Sequence, residues 1–168
     1  MTAPKGTPSF TTLQSLAAEE THISIITKVL SRYTNITVEK ERKVSDFCDN
    51  YEYSMLKEGK SQVIRSDGGW IYKDNELIGV AECKYQSSRQ NACERAAKYI
   101  FVPEIYKNPS KLFISCYGQG FEMKQGGGST GPFIDMARNI GVSIHENLNN
   151  NDLEQAFEEW LIKQINLS

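Results

Sequence analysis

Apolar residues recur at helical spacing between Thr11 and Tyr33. Leu13, Leu16, Ala17, Ile23, Ile26, Val29 and Leu30 fall on one stripe and predict a first amphipathic helix. His22 lies on that stripe without a partner at metal-ligand spacing and is read as a satisfied or exposed histidine. Asn35 to Val38 reads as a short strand, and the run Glu39-Lys40-Glu41-Arg42-Lys43 as a solvated face. Phe47, Tyr51, Met55 and Leu56 predict a helix from about Val44 to Glu58, ended by Gly59. Val63-Ile64-Arg65 then leads, extended, into a Ser66-Asp67-Gly68-Gly69 turn. A short strand (Gly69 to Tyr72) follows, then a polar turn (Lys73-Asp74-Asn75-Glu76) and an apolar strand, Leu77 to Ala81, that ends in Glu82-Cys83-Lys84. Ala92 to Ile100 is good helix until Pro103. Lys111 to Tyr117 reads as a buried central strand beside Leu77 to Lys84. Phe133 to Asn139 predicts a helix stopped at Gly141, and Val142 to His145 a strand. Asn149 to Asp152 caps a last helix, Leu153 to Ile165, with Phe157, Trp160, Leu161 and Ile165 turned inward.

Strands and helices in this order predict an α/β domain with a mixed central sheet and helices on both faces. The active site is expected on an edge hairpin of that sheet. The 168 residues fit one domain, 1–168, large enough for a real core. Residues 1–9, with Pro4, Gly6 and Pro8, read as a flexible N-terminal arm. No internal repeat is evident.

Composition changes this picture little. The net charge of −2 does not announce a nucleic-acid binder. Locally, Lys84, Arg89, Arg95 and Lys98 stand against only Glu94, a patch that suits a polyanion and equally suits a solvated helix face. Cys48, Cys83, Cys93 and Cys116 show no C-x-x-C and no zinc spacing. Without a signal peptide they read as reduced cytoplasmic thiols. The longest apolar run is far too short for a membrane span. The glycine run Gly126-Gly127-Gly128-Ser129-Thr130-Gly131 leads into Pro132 rather than Gly-Lys-Ser/Thr, so it is no P-loop. It is read as a loop near DNA or a dimer interface.

The chemistry gathers between residues 66 and 95. Alternation along a strand puts Glu82 and Lys84 on one side and Cys83 on the other. The hairpin can bring Asp67 beside Glu82. Two carboxylates and an ammonium would then converge. Paired carboxylates hold Mg²⁺ through oxygen ligands, and the Cys83 backbone carbonyl is a further candidate ligand. Such a metal polarises a phosphodiester and lowers the pKa of a bound water. A nearby lysine can orient that water and offset charge on the phosphate. Glu52 or Glu58 is a candidate extra carboxylate. The bland alternative is a hairpin with a solvated charged edge.

Asp67-Gly68-Gly69, then Val80-Ala81-Glu82-Cys83-Lys84-Tyr85-Gln86, then Asn91-Ala92-Cys93-Glu94-Arg95 together resemble the EcoRI type of type II restriction endonuclease, within the wider PD-(D/E)XK nuclease fold. The close resemblance covers about thirty residues. Ser66 stands where the family has proline, which loosens the turn but removes no ligand. The stretch from Gln86 to Asn91 is shorter than in the family's type member. The resemblance implies a PD-(D/E)XK restriction-endonuclease-like fold with Asp67 and Glu82 as Mg²⁺ ligands and Lys84 as the catalytic lysine. It also implies DNA-binding roles for Gln86, Asn91, Ala92 and Arg95, with Glu94 buttressing them. Arg89 joins them as part of the basic patch. In the family this cluster reads a central AATT. That agrees with asparagine's bidentate fit to adenine and an alanine touching the thymine methyl. Asn91 and Glu94 also fit a simple capping box, which is compatible with a recognition helix read from its N-terminus.

The expected function is therefore Mg²⁺-dependent, sequence-specific hydrolysis of double-stranded DNA, leaving 5′ overhangs with 5′-phosphates. The expected partners are a second copy of the chain, since each strand of a palindrome needs a centre, and a cognate DNA methyltransferase. The expected location is a prokaryotic cytoplasm. Alternatives are a heterodimeric or nicking endonuclease subunit, a structure-specific repair nuclease, and a DNA-binding module that reuses the fold.

Overall fold

In the computed structural model the described residues are 10–47, 63–85, 97–118 and 130–168. Among them, five strands form one mixed sheet in the order β1-β2-β3-β4-β5. The strands are β1 (Ile36–Lys43), β2 (Val63–Lys73), β3 (Glu76–Tyr85), β4 (Leu112–Tyr117) and β5 (Ser143–Glu146). β1, β2 and β3 run as an antiparallel meander, and β4 and β5 continue parallel to β3. The helices are α1 (Phe10–Leu30), a 3₁₀ turn at Ala97–Phe101, α2 (Pro103–Lys107), α3 (Thr130–Ile140) and α4 (Asn150–Leu167). No helix among the described residues is long and apolar enough to cross a membrane.

The sheet carries a core on each face, as its near-continuous apolar β3 and β4 require. On one face, Ile26 and Val29 of α1 and Leu153, Phe157, Trp160 and Leu161 of α4 cover Ile71, Ile78, Ala81 and Phe113. On the other, Tyr99, Val102, Ile105, Ile134 and Ala137 cover Trp70, Val80, Leu112, Ile114 and Ile144. β3 lies at the centre between β2 and β4, so the expected edge hairpin is in fact internal. The edge belongs to β1, whose charge run continues the strand instead of ending it. Residues Thr37 to Glu41 are all exposed. An exposed edge strand needs only one paired side, so it keeps its charges and loses the apolar alternation that would announce it. Arg42 ties this edge down: it pairs with Glu104 at 2.7 Å and lies over the rings of Phe47 and Trp70.

The β2–β3 hairpin turns on Asp74 and Asn75, both at positive φ, the pair that a two-residue primed turn demands. α4 starts as read: the Asn149 side chain accepts from the Asp152 N–H at 2.8 Å. The stripe on α1 packs only in its C-terminal part. Leu13 and Leu16 are exposed, whereas Ile25, Ile26, Val29 and Leu30 are buried.

One close approach fixes how α4 sits. A methyl group at Gly79 would come within 2.5 Å of the Trp160 ring and 2.8 Å of the Lys111 carbonyl. The ring cannot retreat, because Trp160 Nε1 donates to the Ser110 carbonyl at 2.7 Å. Overpacking of a close-packed core is destabilising. Gly79→Ala is therefore expected to lose about 1–3 kcal/mol in urea unfolding. A loss well below that range would mean the α4 contact yields easily.

Candidate active site

The site is built where β2 bulges against β1, beside β3. β1 and β2 pair at Glu39–Trp70 and again at Glu41–Arg65, so Lys40 alone stands opposite the four residues Ser66, Asp67, Gly68 and Gly69. The acidic segment is thus a bulge within a continuous strand and not the expected turn between two. Bulges bend a strand and re-aim its side chains. Gly69 makes this one possible: its φ is +98°, and a side chain there would collide with Val38. Ser66 does the reverse of loosening the segment. Its hydroxyl donates to the Ala81 carbonyl and accepts from the Gly69 N–H at 3.3 Å. This pins the bulge to β3 one residue before Glu82.

The bulge brings Asp67 to Glu82. The Asp67 N–H donates to Glu82 Oε1 at 3.3 Å, and the Cys83 N–H donates to the same oxygen at 3.1 Å. Lys84 Nζ lies 3.6 Å from Glu82 Oε2. Glu82 is 1% exposed, which decides its chemistry. Burial first, and then the Asp67 carboxyl that hydrogen-bonds to it, push Glu82 up to about 7 against the pull of Lys84. Cys83 faces the other way and is buried, which holds its thiol well above the usual range, with the charges of Asp67, Glu82 and Glu19 adding to the effect.

Tyr99 completes the carboxylate's surroundings. Its hydroxyl reaches Glu82 Oε2 and also the Arg65 carbonyl at 2.5 Å. One proton cannot serve both acceptors. With Glu82 protonated, the chain runs Glu82 to Tyr99 to Arg65; with Glu82 ionised, the tyrosine proton turns to the carboxylate. The sequence showed Tyr99 only as one position of a helical run, and nothing in that run marked its hydroxyl.

α1 adds a third acidic group that the sequence reading did not single out. Glu19 is half-buried. Its carboxyl is raised by burial and by the Asp67 charge, with Lys84 pulling the other way. His22, one turn further on, is fully buried against Phe113, and neither ring nitrogen has a hydrogen-bond partner among the described residues. It is thus neither satisfied nor exposed, contrary to expectation. Burial drives its pKa down to about 4, with Asp67 opposing and Lys40 assisting. The spacing Glu19-x-x-His22 on one helix face was the available signal. The apolar stripe around it concealed it.

Could this arrangement hold Mg²⁺? Among the described residues no three His, Cys, Asp or Glu side chains form a ready metal cluster. Mg²⁺ does not require one, since it keeps several waters and is often held by one or two carboxylates. Two carboxyls crowded together in a buried place, one of them raised by the other, are hard oxygen donors that a divalent cation would relieve. On that ground Asp67 and Glu82 fit the ion, with the Cys83 carbonyl as a third candidate oxygen.

The base-reading candidates Gln86, Arg89, Asn91, Ala92, Glu94 and Arg95 lie outside the described residues, as do Glu52, Glu58, Cys48, Cys93 and most of the glycine run. Asp67, Glu82 and Lys84 are brought together; Glu19, His22, Tyr99 and Lys40 join them. No family model, curated protein or solved structure matches this chain.

Proposed function

We propose that the protein is a Mg²⁺-dependent phosphodiesterase of the type II restriction endonuclease kind, cutting both strands of duplex DNA as a homodimer. The observation that carries the reading is the meeting of Asp67, Glu82 and Lys84 at one bulge beside the central strand. The sheet supports it: an antiparallel meander followed by parallel strands, with a helix on the far face, agrees with the PD-(D/E)XK layout that the motifs resemble. The proposed location is a prokaryotic cytoplasm, with a methyltransferase protecting the cell's own sites.

Asp67 and Glu82 would hold the ion, with the Cys83 carbonyl beside them. A Mg²⁺ held there would polarise the phosphate and make a bound water more acidic. Lys84, only 18% exposed at its side chain, keeps an ammonium against the carboxylate pair. There it can orient the attacking water and offset charge on the phosphoryl oxygens. Tyr99 and the backbone N–H groups of Asp67 and Cys83 keep the Glu82 carboxyl in one orientation. The proposed readers of an AATT core are Asn91, Ala92 and Arg95, with Gln86, Arg89 and Glu94 beside them.

The test is digestion of long duplex DNA with Mg²⁺, with the fragment ends sequenced, for the wild type, Asp67→Asn and Lys84→Ala. Discrete wild-type fragments with AATT at their 5′ ends are expected. Each variant should slow cutting about a thousandfold or more, the equivalent of about 4 kcal/mol of lost transition-state stabilisation. A wild-type smear that both variants abolish would keep the metal chemistry and remove the base-reading assignment. No cutting by the wild type would sink the nuclease reading.

A further inference from the structure

Lys40 is the one cation of β1 that the fold sets against the acidic bulge, and the sequence gives no apolar reason for its place there. It is exposed, on an edge strand whose neighbours Val38, Glu39 and Glu41 are exposed as well. It faces Ser66 to Gly69 without a strand partner of its own. Its Nζ donates to the Asp67 carbonyl at 3.2 Å, a contact to the backbone that leaves the Asp67 carboxyl to Glu82. An exposed bond from an ammonium to a neutral carbonyl competes with water and holds little net free energy. The side chain also has room to move. A cavity of about 360 Å³ opens between α1 and β1, with Lys40 on its rim beside Val38 and Gly68. An exposed ammonium therefore stands at the β1 side of the bulge, while Lys84 stands at the β3 side.

We propose that Lys40 binds a backbone phosphate of the nucleic acid next to the one being cut, exchanging the Asp67 carbonyl for a phosphate oxygen when the strand arrives. This rests on the nuclease reading and adds a substrate contact to it. The chemistry favours the exchange. A lysine ammonium is a strong point-charge donor to phosphate, and a hydrogen bond between opposite charges outranks one from the same ammonium to a neutral carbonyl. Without such a cation, the strand would meet the charges of Asp67 and Glu19 on the α1 side. Lys40 offsets that repulsion on the side that Lys84 does not cover.

The competing role is a strut: Lys40 could merely hold the bulge so that Asp67 meets the ion. The two roles separate experimentally. A labelled DNA duplex is titrated with the protein in Ca²⁺, which replaces Mg²⁺ to favour binding without cutting, at several salt concentrations. Binding of Mg²⁺ alone is followed in parallel by calorimetry. Lys40→Gln is expected to weaken duplex binding several-fold and to lower the slope of log K against log salt by about 0.9, the signature of one lost phosphate contact. Lys40→Arg should keep the wild-type slope, and Lys40→Glu should weaken binding further than Gln. Mg²⁺ affinity should not change. An unchanged slope in Lys40→Gln, or a loss of Mg²⁺ affinity matching the loss of DNA affinity, would overturn the proposal and leave the strut. If the wild type itself binds duplex with no salt dependence, both this inference and the nuclease reading fail. If the wild type binds and cuts but Lys40→Gln behaves like it, only this inference fails. Lys40 is exposed, so unchanged melting of the three variants serves as the fold control.

Discussion

Glu82→Gln is expected to melt above the wild type in metal-free buffer near pH 8, while losing Mg²⁺-dependent cleavage. The wild-type carboxyl sits in the core with a folded-state pKa of about 7 against an ordinary value of 4.5. The sign follows from proton counts. Below 4.5 both folded and unfolded chains hold the proton and the group is neutral to stability. Between 4.5 and 7 the unfolded chain releases it first, so stability falls as pH rises, and above 7 the loss is complete. A shift of that size corresponds to about 3 kcal/mol. Glutamine imitates the protonated acid. Its oxygen can accept from the N–H groups of Asp67 and Cys83, and its amide can donate to Tyr99, which then donates to Arg65. The loss of the Lys84 pairing trims the gain without reversing it. For a chain of this size about 3 kcal/mol corresponds to roughly 6–12 °C in Tm. Mg²⁺ should narrow the gap, because it stabilises only the protein that binds it. Thermal melting across pH 4 to 9 (about) with and without Mg²⁺ measures all of this. A variant that melts lower than the wild type at every pH would mean that the ionised carboxylate is structurally satisfied, and the case for a strained, cation-seeking pair would go with it.

A stability penalty of this kind is what buried functional carboxylates generally carry. It also explains what the sequence could reveal. The apolar run ending in Glu82-Cys83-Lys84 fixed the strand and the facing of its side chains, since period-two alternation is local. The capped last helix and the Asp74-Asn75 hairpin were legible for the same reason. β1 was not. Its partner is supplied by β2 from across a long insertion, and an exposed edge carries charges wherever solvent permits. The bulge around Asp67 was equally hidden, because only the register with β1 shows that four residues stand against one. Tyr99 and Glu19 approach Glu82 and Asp67 from the two faces of the sheet. Such convergence is a property of layer packing, and no local period encodes it. The PD-(D/E)XK resemblance did anticipate Asp67, Glu82 and Lys84 as a group. It offered Ser66 only as a departure from proline, whereas the hydroxyl is the pin that holds the bulge to β3.

His22 supplies the second large effect. A fully buried imidazole whose two nitrogens find no partner among the described residues is an expensive way to fill a core. His22→Leu is expected to raise stability at neutral pH by about 1–3 kcal/mol, the usual penalty of an unsatisfied buried polar group. The difference should then widen with acid. The folded-state pKa is about 4 against an ordinary 6.5, so between those values the unfolded chain binds a proton that the folded chain refuses. Wild-type stability from this group is therefore fully present above 6.5 and is lost as pH falls towards 4. The leucine variant escapes that loss, which amounts to about 3 kcal/mol. Glu82 works in the opposite sense over nearly the same window, so neither profile alone is informative. The difference between wild type and His22→Leu cancels Glu82 and leaves the histidine. Urea unfolding at a series of pH values provides it. Parallel profiles would mean that the imidazole reaches a proton acceptor in the folded state. Activity then sorts the role: a more stable His22→Leu protein that still cuts DNA makes His22 a core residue, whereas a more stable one that no longer cuts makes its stability penalty part of the site formed with Asp67.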